Sequence, residues 1–568
     1  MSKLVYICTK NPRNLPQIKS KLEAIASKIM PDNIIPAPPQ IVEFGNIIFG
    51  IYNPLPTTRI KGGSICLGNI FEENSWDLIN QKPPDGSYVI FRGNKDYVQI
   101  ISDVVASRTV WYFKNNELFI ASTSQRAITI ILGSFEFNQK TIPWVLTTGS
   151  LGPDQGWDQR VERLGADSTL TLTRGAWTIT EKSQDVKFTP LQVSDQEHEN
   201  NLRTALDESF DHINLDYSQW VLLLSGGFDS RSVLSLLKDR TGLKSITWGV
   251  KSALDENLSD AVIAKELAQR YQIPNEYFET DISNEPIGKI FDRFLVCGEG
   301  RIDHISGYMD GFNIWKKLYN NGVRGIIRGD EGFGWVPVVS PLDVRLSIGI
   351  PLWSDFSNLR GMADFGFSKQ EMPEYLLQIP GESLEGWRDR LYHQFRIPLV
   401  LGALSDLKLP YVEIVNPLLS RKIIYTVRSL PDHLRTGKTL YKKIVQSISP
   451  QINFAKHQAV ADKGSILSKR RVFEFLKEEL GSSYTNAILP KEFTKYITSN
   501  ATNEGESERD DIKGGIKDLI KPLLPKWVKA KIKSSIAKPK IDFNILVFRA
   551  FIICRMSTVL NNDAIDKG

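Results

Sequence analysis

The chain has 568 residues, 41% of them hydrophobic and 24% charged, a globular composition with length for two to four domains. A formal net charge of +5 is too small for this length to imply a nucleic-acid partner. Four cysteines, Cys8, Cys66, Cys297 and Cys554, form no C-x-x-C pair; this excludes a disulfide framework and a cysteine zinc site, and points to a reducing, cytoplasmic setting.

Met1 to Cys8 lacks the long apolar region of a signal peptide and reads as a first buried strand. Short β-type runs follow at Ile47–Tyr52, Tyr88–Arg92, Tyr97–Ser102, Val110–Phe113, Leu118–Ala121 and Thr169–Leu172. Turn residues such as Gly93-Asn94-Lys95-Asp96 separate them, so hairpins and packed sheets are expected. Residues 182–198 are polar, carry Pro190 and read as a linker.

Beyond residue 199 strands alternate with helices. A helix over 200–214 leads to a strand at Val221–Leu224, a helix at Ser230–Leu237, a strand at Ser245–Gly249, a helix at Leu258–Tyr271 and an extended piece at Glu276–Glu279. That alternation predicts a parallel sheet with helices on both faces. Helices dominate after about residue 340. Residues 504–511 are acidic, and 513–540 carry nine lysines, read as a solvated basic face because Pro522 and Pro525 interrupt any long helix. The apolar run Phe543–Met556 is too short to span a bilayer, so a buried C-terminal helix and no transmembrane segment are expected.

The most informative stretch is Trp220-Val-Leu-Leu-Leu-Ser225-Gly226-Gly227-Phe228-Asp229-Ser230-Arg231. A buried strand passes through Ser-Gly-Gly into a helix. Such a turn presents backbone N–H groups and a helix N-terminus to an anion, and its glycines permit close approach or positive φ. Ser225 and Ser230 add hydroxyls. Asp229 beside a phosphate makes sense as a ligand of a divalent cation; the alternative is that Asp229 or Ser230 simply caps the helix. No G-x-x-x-x-G-K-[ST] loop occurs.

This turn resembles the pyrophosphate loop, S-G-G-x-D-S, of the ATP-pyrophosphatase family. The flanking residues resemble asparagine synthetase. Ser245-Ile-Thr-Trp248-Gly249 matches the strand beside the adenine, and Asp260 with Ala264-Lys265-Glu266-Leu267-Ala268 matches D-x-x-x-A-R-E-V-A. Asp330-Glu331-Gly332-Phe333-Gly334 matches D-E-L-F-G. Glu413-Ile-Val-Asn-Pro417, Leu430-Pro431 and Lys438-x-Leu440 follow in order.

The resemblance implies ATP and Mg2+, with Leu223, Ser225, Gly226, Gly227, Asp229, Ser230, Trp248 and Gly249 binding nucleotide and Asp229 and Asp330 sharing the metal. It implies catalytic roles for Asp330, Glu331 and Lys456, with Lys463 in reserve. The glutamate that the family carries three residues before this aspartate falls on Ile327; Asp330, Glu331, Glu299 and Asp303 are candidates to replace it, the last two more in keeping with structural roles.

Gly86-Ser-Tyr-Val, Ser102-Asp103 with Arg108, Leu118-Phe-Ile-Ala-Ser122 and Thr148-Gly149 resemble the family's glutamine amidotransferase half. Its nucleophile is an N-terminal cysteine. Here Ser2 stands in that place and the R-G-P-D segment is not evident, so this half is expected to be inactive.

The implied fold is mixed α/β and α+β. An N-terminal Ntn-hydrolase-like β-sandwich domain covers 1–185. An adenine-nucleotide α-hydrolase-like (PP-loop) parallel-sheet domain with added helices covers 199–568. The implied activity is ATP-dependent amide formation, with a small-molecule or peptide carboxylate and an amine or ammonia as partners, as in β-lactam synthetases and lasso peptide cyclases. A genuine asparagine synthetase and a non-catalytic nucleotide-binding homologue are the alternatives. The sequence leaves a homodimer open.

Overall fold

Alternate residues of the first strand, Lys3–Thr9, serve two different cores, and every one of them is buried. Leu4, Tyr6 and Cys8 point into one apolar cluster, and Val5 and Ile7 into another. A strand buried on both faces needs an unbroken apolar run, which is why K-L-V-Y-I-C-T lacks polar alternation. The computed structural model describes residues 3–72, 75–482, 487–503 and 538–565. Ser2, residues 504–511 and nearly all of the lysine-rich stretch lie outside these.

Lys3–Thr9 lies inside a six-stranded antiparallel sheet, between Leu118–Ser122 and Ile47–Tyr52. A second six-stranded antiparallel sheet contains Ser64–Ile70, Gly86–Gly93, Tyr97–Ser102 and Ser168–Thr173 as neighbours in that order. The two sheets pack face to face. Tyr6 of the first stacks on Phe91 of the second, 5.4 Å from ring centre to ring centre. The turns are set locally: Asn94 Oδ1 accepts from the N–H groups of Asp96 and Tyr97, and Asn115 Oδ1 from those of Glu117 and Leu118.

The third sheet is parallel. Its five strands run in the order Asn275–Glu279, Lys244–Gly249, Trp220–Leu223, Gly325–Ile327, Glu413–Val415. The chain builds outward from Trp220–Leu223 in one direction, then returns to its other side with Gly325–Ile327. Strand order therefore reverses between these two, and a crevice opens beyond their carboxyl ends. The molecule is a mixed α/β structure of two antiparallel sheets and one parallel sheet.

Two sequence expectations change here. Residues 182–198 are not a free linker. Strand Thr178–Ser183 takes the first two, Thr189 and Leu191 donate N–H bonds to the carbonyls of Arg428 and Ser429, and a helix begins at Asp195. That helix starts earlier than the apolar pattern suggests because Ser194 caps it, accepting from Glu197 N.

The apolar C-terminal segment is also longer than expected. It forms a helix over Phe543–Ile565, 23 residues whose most apolar 18-residue stretch has mean hydropathy 1.7, long and apolar enough to cross a membrane. Of its most apolar stretch 72% is buried inside the protein. Arg549 donates to Asp303 at 2.6 Å and to the carbonyls of Leu146 and Thr147, while Asp563 accepts from Arg126 at 2.7 Å. It is a core helix that ties the antiparallel sheets to the parallel-sheet half.

Candidate active site

The strand Trp220–Leu223 enters the helix Phe228–Leu237 through Leu224-Ser225-Gly226-Gly227. The helix cap is Gly227, with φ −81° and ψ −176°, so the glycines here do not supply positive φ, and neither Asp229 nor Ser230 is the cap. For Gly226 the reason is space. A Cβ on Gly226 would lie 2.5 Å from Ala455 Cβ and 2.9 Å from Ile263 Cβ.

Much of the turn's N–H capacity is already used. Ser225 N donates to Ser230 Oγ at 3.0 Å, Gly226 N to Asp260 Oδ1 at 2.9 Å and Gly227 N to Ser225 Oγ at 3.3 Å. What faces outward is the first turn of the helix, whose N–H groups precede the first intrahelical bond. The turn is thus pre-set by Ser225, Ser230 and Asp260 rather than left open.

Beyond the turn lies a cavity of about 340 Å³. Leu223, Ser225, Asp229, Ser230, Trp248 and Asp330 all line it. Three β-strands and a helix start therefore meet at the strand-order reversal. Gly249 contributes by letting the opposite wall approach: a Cβ there would lie 2.4 Å from the Ala459 carbonyl oxygen. Val250 N bonds that carbonyl at 2.8 Å, which fixes Gln458-Ala459-Val460 across the cavity.

Asp330 follows the strand Gly325–Ile327 through Arg328-Gly329. Gly329 passes the helix start so closely that a Cβ would lie 2.9 Å from Ser230 N. This brings Asp330 beside Asp229. Arg328 holds Asp330 Oδ1 at 2.9 Å, while Asp330 Oδ2 is buried and unpartnered. Burial raises the Asp229 pKa, Lys438 opposes that, and the Asp330 charge adds to it. Two carboxylates with one vacant buried oxygen fit a divalent cation.

Glu331 does not line the cavity. It is buried, accepts from Phe333 N at 2.6 Å and from Tyr392 Oη at 3.4 Å, and pairs with Lys438 at 2.8 Å. Lys438 also reaches Asp229 Oδ2 at 3.0 Å. Lys456 is not brought in either: its residue is exposed, and its backbone N–H donates to Leu258 O. The cations in direct contact with the two aspartates, among the described residues, are Lys438 and Arg328. Sequence reasoning gave neither a role, although Lys438 stood in the matched K-x-Leu segment and Arg328 ends a buried strand.

The remaining candidates separate. Lys463 lines a neighbouring cavity and pairs with Asp303 at 2.7 Å. Asp303 is held by Lys463 and Arg549, and Glu299 by Ser124 and the N–H of Gln125, so both acids are structural anchors. Ile327 is fully buried, registered between Leu222 and Val415 in the sheet. Arg231, an oddity in the sequence, is fully buried and donates to the carbonyls of Ile452 and Asn453 at 2.8 and 2.6 Å, its guanidinium 3.9 Å from the Phe454 ring centre. It clamps the segment that leads to Gln458.

No protein-family model matches the chain, and no curated protein matches it. Among solved structures, a glutamine phosphoribosylpyrophosphate amidotransferase from B. subtilis, complexed with ADP and GMP, aligns with 50% of this chain and 67% of that chain. The identity is 9% and the TM-score 0.18, too low to carry an argument about this chain's fold or chemistry.

Proposed function

We propose that the protein is an ATP- and magnesium-dependent, AMP-forming ligase of the asparagine-synthetase type, which adenylates a carboxylate and joins it to an amine or ammonia. The observation that carries this reading is the pairing of Asp229 and Asp330 at the strand-order reversal, with Asp330 Oδ2 vacant and the Ser-Gly-Gly turn beside it.

In this reading the substrate carboxylate attacks the α-phosphorus and pyrophosphate leaves; the amine then attacks the acyl carbon and AMP leaves. The helix N-terminus at Phe228 and the hydroxyls of Ser225 and Ser230 hold the pyrophosphate. Asp229 and Asp330 hold the cation, which when bound offsets charge on the leaving group. Trp248 and Gly249 flank the adenine. Arg328 holds Asp330 in place and Lys438 balances Asp229 and Glu331.

The antiparallel half, about residues 1–185, is read as an Ntn-hydrolase-like sandwich without glutaminase activity, and 199–568 as the PP-loop ligase domain. Cys8 is no nucleophile: it is buried within its strand, and burial pushes its thiol up to about 11. The ion pair Arg108–Glu413 joins the two halves of the molecule beside Lys3.

ATP–pyrophosphate exchange with a panel of carboxylates tests the reading. Exchange that requires magnesium and disappears in Asp229→Ala and Asp330→Ala is expected. Absence of exchange with every acid would sink it. The contact of the Lys438 ammonium with Asp229, where a cation is needed, favours one rival: a nucleotide-binding homologue without catalysis. That rival predicts magnesium-independent ATP binding and no exchange.

A further inference from the structure

A second cavity, of about 430 Å³, adjoins the first and shares Trp248, Arg328, Gln458 and Val460 with it. Its walls are aromatic. Trp248 meets Trp315 edge to face at 5.8 Å between ring centres, and Tyr308 lies 6.5 Å from Trp315. Rings of this kind present flat apolar faces to a ligand.

Three basic side chains, Arg328, Lys408 and Lys463, line this cavity together with His304 and one acid, Asp462, which caps a short helix by accepting from Ser465 N. Arg328 is paired with Asp330 and Lys463 with Asp303. Lys408 differs. It is 4% exposed, and its Nζ donates to Tyr308 Oη and to Leu404 O, both at 2.8 Å, while lying 5.4 Å from the ring centres of Tyr308 and Trp315. No carboxylate among the described residues stands within ion-pair distance of it. A buried ammonium is normally paired, because leaving water costs several kcal/mol. Burial, with Arg328 adding to it, pushes the Lys408 amine well below its usual range while Asp330 opposes, as expected of a site short of negative charge. An anion entering the cavity would restore the charged form of this amine.

We propose that this second cavity is the acceptor site and that it takes a carboxylic acid with an aromatic body, the carboxylate facing Lys408 and Arg328 and the ring lying against Trp248 and Trp315. The proposal rests on the ligase reading for its chemistry, since the shared wall lets an acid held here meet a nucleotide held next door. The binding claim itself stands on the cavity.

Gly307 provides the cleanest probe. It lines only the second cavity, its backbone is not left-handed, and a Cβ there meets nothing closer than Trp248 Nε1 at 3.7 Å. A Cβ is therefore accommodated at this position, and the longer side chain of Gly307→Leu takes up space in the cavity. Lys408→Met removes the amine that would meet the carboxylate while keeping an apolar stem of similar length, and retained ATP binding shows that the variant is folded.

Calorimetric titration of the full chain with phenylacetate, with phenethylamine and with aspartate tests the proposal. Phenylacetate is expected to bind at least tenfold more tightly than either other probe, and both variants to weaken it at least tenfold with ATP binding retained in each. Preference for phenethylamine or aspartate, no phenylacetate binding at millimolar concentration, or binding unaffected by the two variants overturns it. Phenylacetate binding that is sensitive to Gly307→Leu but supports no pyrophosphate exchange upholds the site and counts against the ligase reading alone. Exchange with aspartate and not with arylacetic or arylpropionic acids overturns the acceptor class and leaves the ligase reading standing.

Discussion

Arg231→Met cuts the clamp between the helix that follows the Ser-Gly-Gly turn and the segment that closes the cavity beside it. Arg231 is fully buried and makes two bonds from a charged donor, to Ile452 O at 2.8 Å and Asn453 O at 2.6 Å. Each such bond contributes ~1.5–3 kcal/mol. The guanidinium over Phe454, 3.9 Å from the ring centre, adds ~1 kcal/mol. Against this stands Nε, which is buried without a partner and costs ~1–3 kcal/mol in the native protein. The two vacated carbonyls keep access to solvent through the partly exposed 451–454 stretch.

Methionine keeps the apolar stem, so the net loss is ~2–4 kcal/mol. Urea denaturation reads it as a lower midpoint at unchanged slope. Hydrogen exchange locates it: amides of 452–460 lose protection before those of the strand Trp220–Leu223. A loss below ~1 kcal/mol, or unchanged protection at 452–460, refutes the clamp.

Gly226→Ala forces a methyl against Ala455 and Ile263, and overpacking of this kind costs ~1–3 kcal/mol; ATP affinity, measured by fluorescent-nucleotide displacement, falls with it. Asp330→Asn lowers magnesium-dependent exchange by ~100-fold or more, and loss of the ion pair with Arg328 lowers the thermal midpoint as well. Lys456→Ala leaves exchange within ~2-fold of the parent, as befits an exposed residue outside the cavity; a loss of ~10-fold would return Lys456 to the site.

Asp310 sets a pH dependence of stability. Burial raises its carboxyl to about 6, although it accepts from the N–H groups of Phe312 and Ile314. The folded state keeps a proton that the unfolded chain releases near pH 4. The group's stabilising contribution is therefore full below about 4 and is lost as pH rises through about 6. Asp310→Asn abolishes that dependence, so the variant gains up to ~3 kcal/mol on the parent between pH 4 and pH 7 in denaturant titrations. An unchanged gap between the two proteins across that window contradicts the assignment.

Strands and helices were legible where a short periodic run decides them. Lys3–Thr9 lacks alternation because both its faces are covered, and Trp220–Leu223 reads as a buried strand for the same reason. The Ser-Gly-Gly turn and the Asp330 loop were visible because strand, turn and helix start are contiguous in the chain. Asp229 and Asp330 could be paired only through a resemblance, and the structure brings them together by the passage of Gly329 over Ser230.

By itself, then, the sequence determined the local pieces: which runs are strands, and where the Ser-Gly-Gly turn and its neighbour Asp229 lie. Tertiary structure decided the rest. It chose Lys438 over Lys456 as the ammonium against Asp229, set Asp260 on the Gly226 N–H, and gave Arg231 its carbonyls more than 200 residues along the chain. It also left Lys408 without an acid among aromatic rings. The physical reason is the same each time. Backbone periodicity is fixed by neighbours within a few residues, whereas charge balance and close packing are fixed by whatever the fold lays alongside.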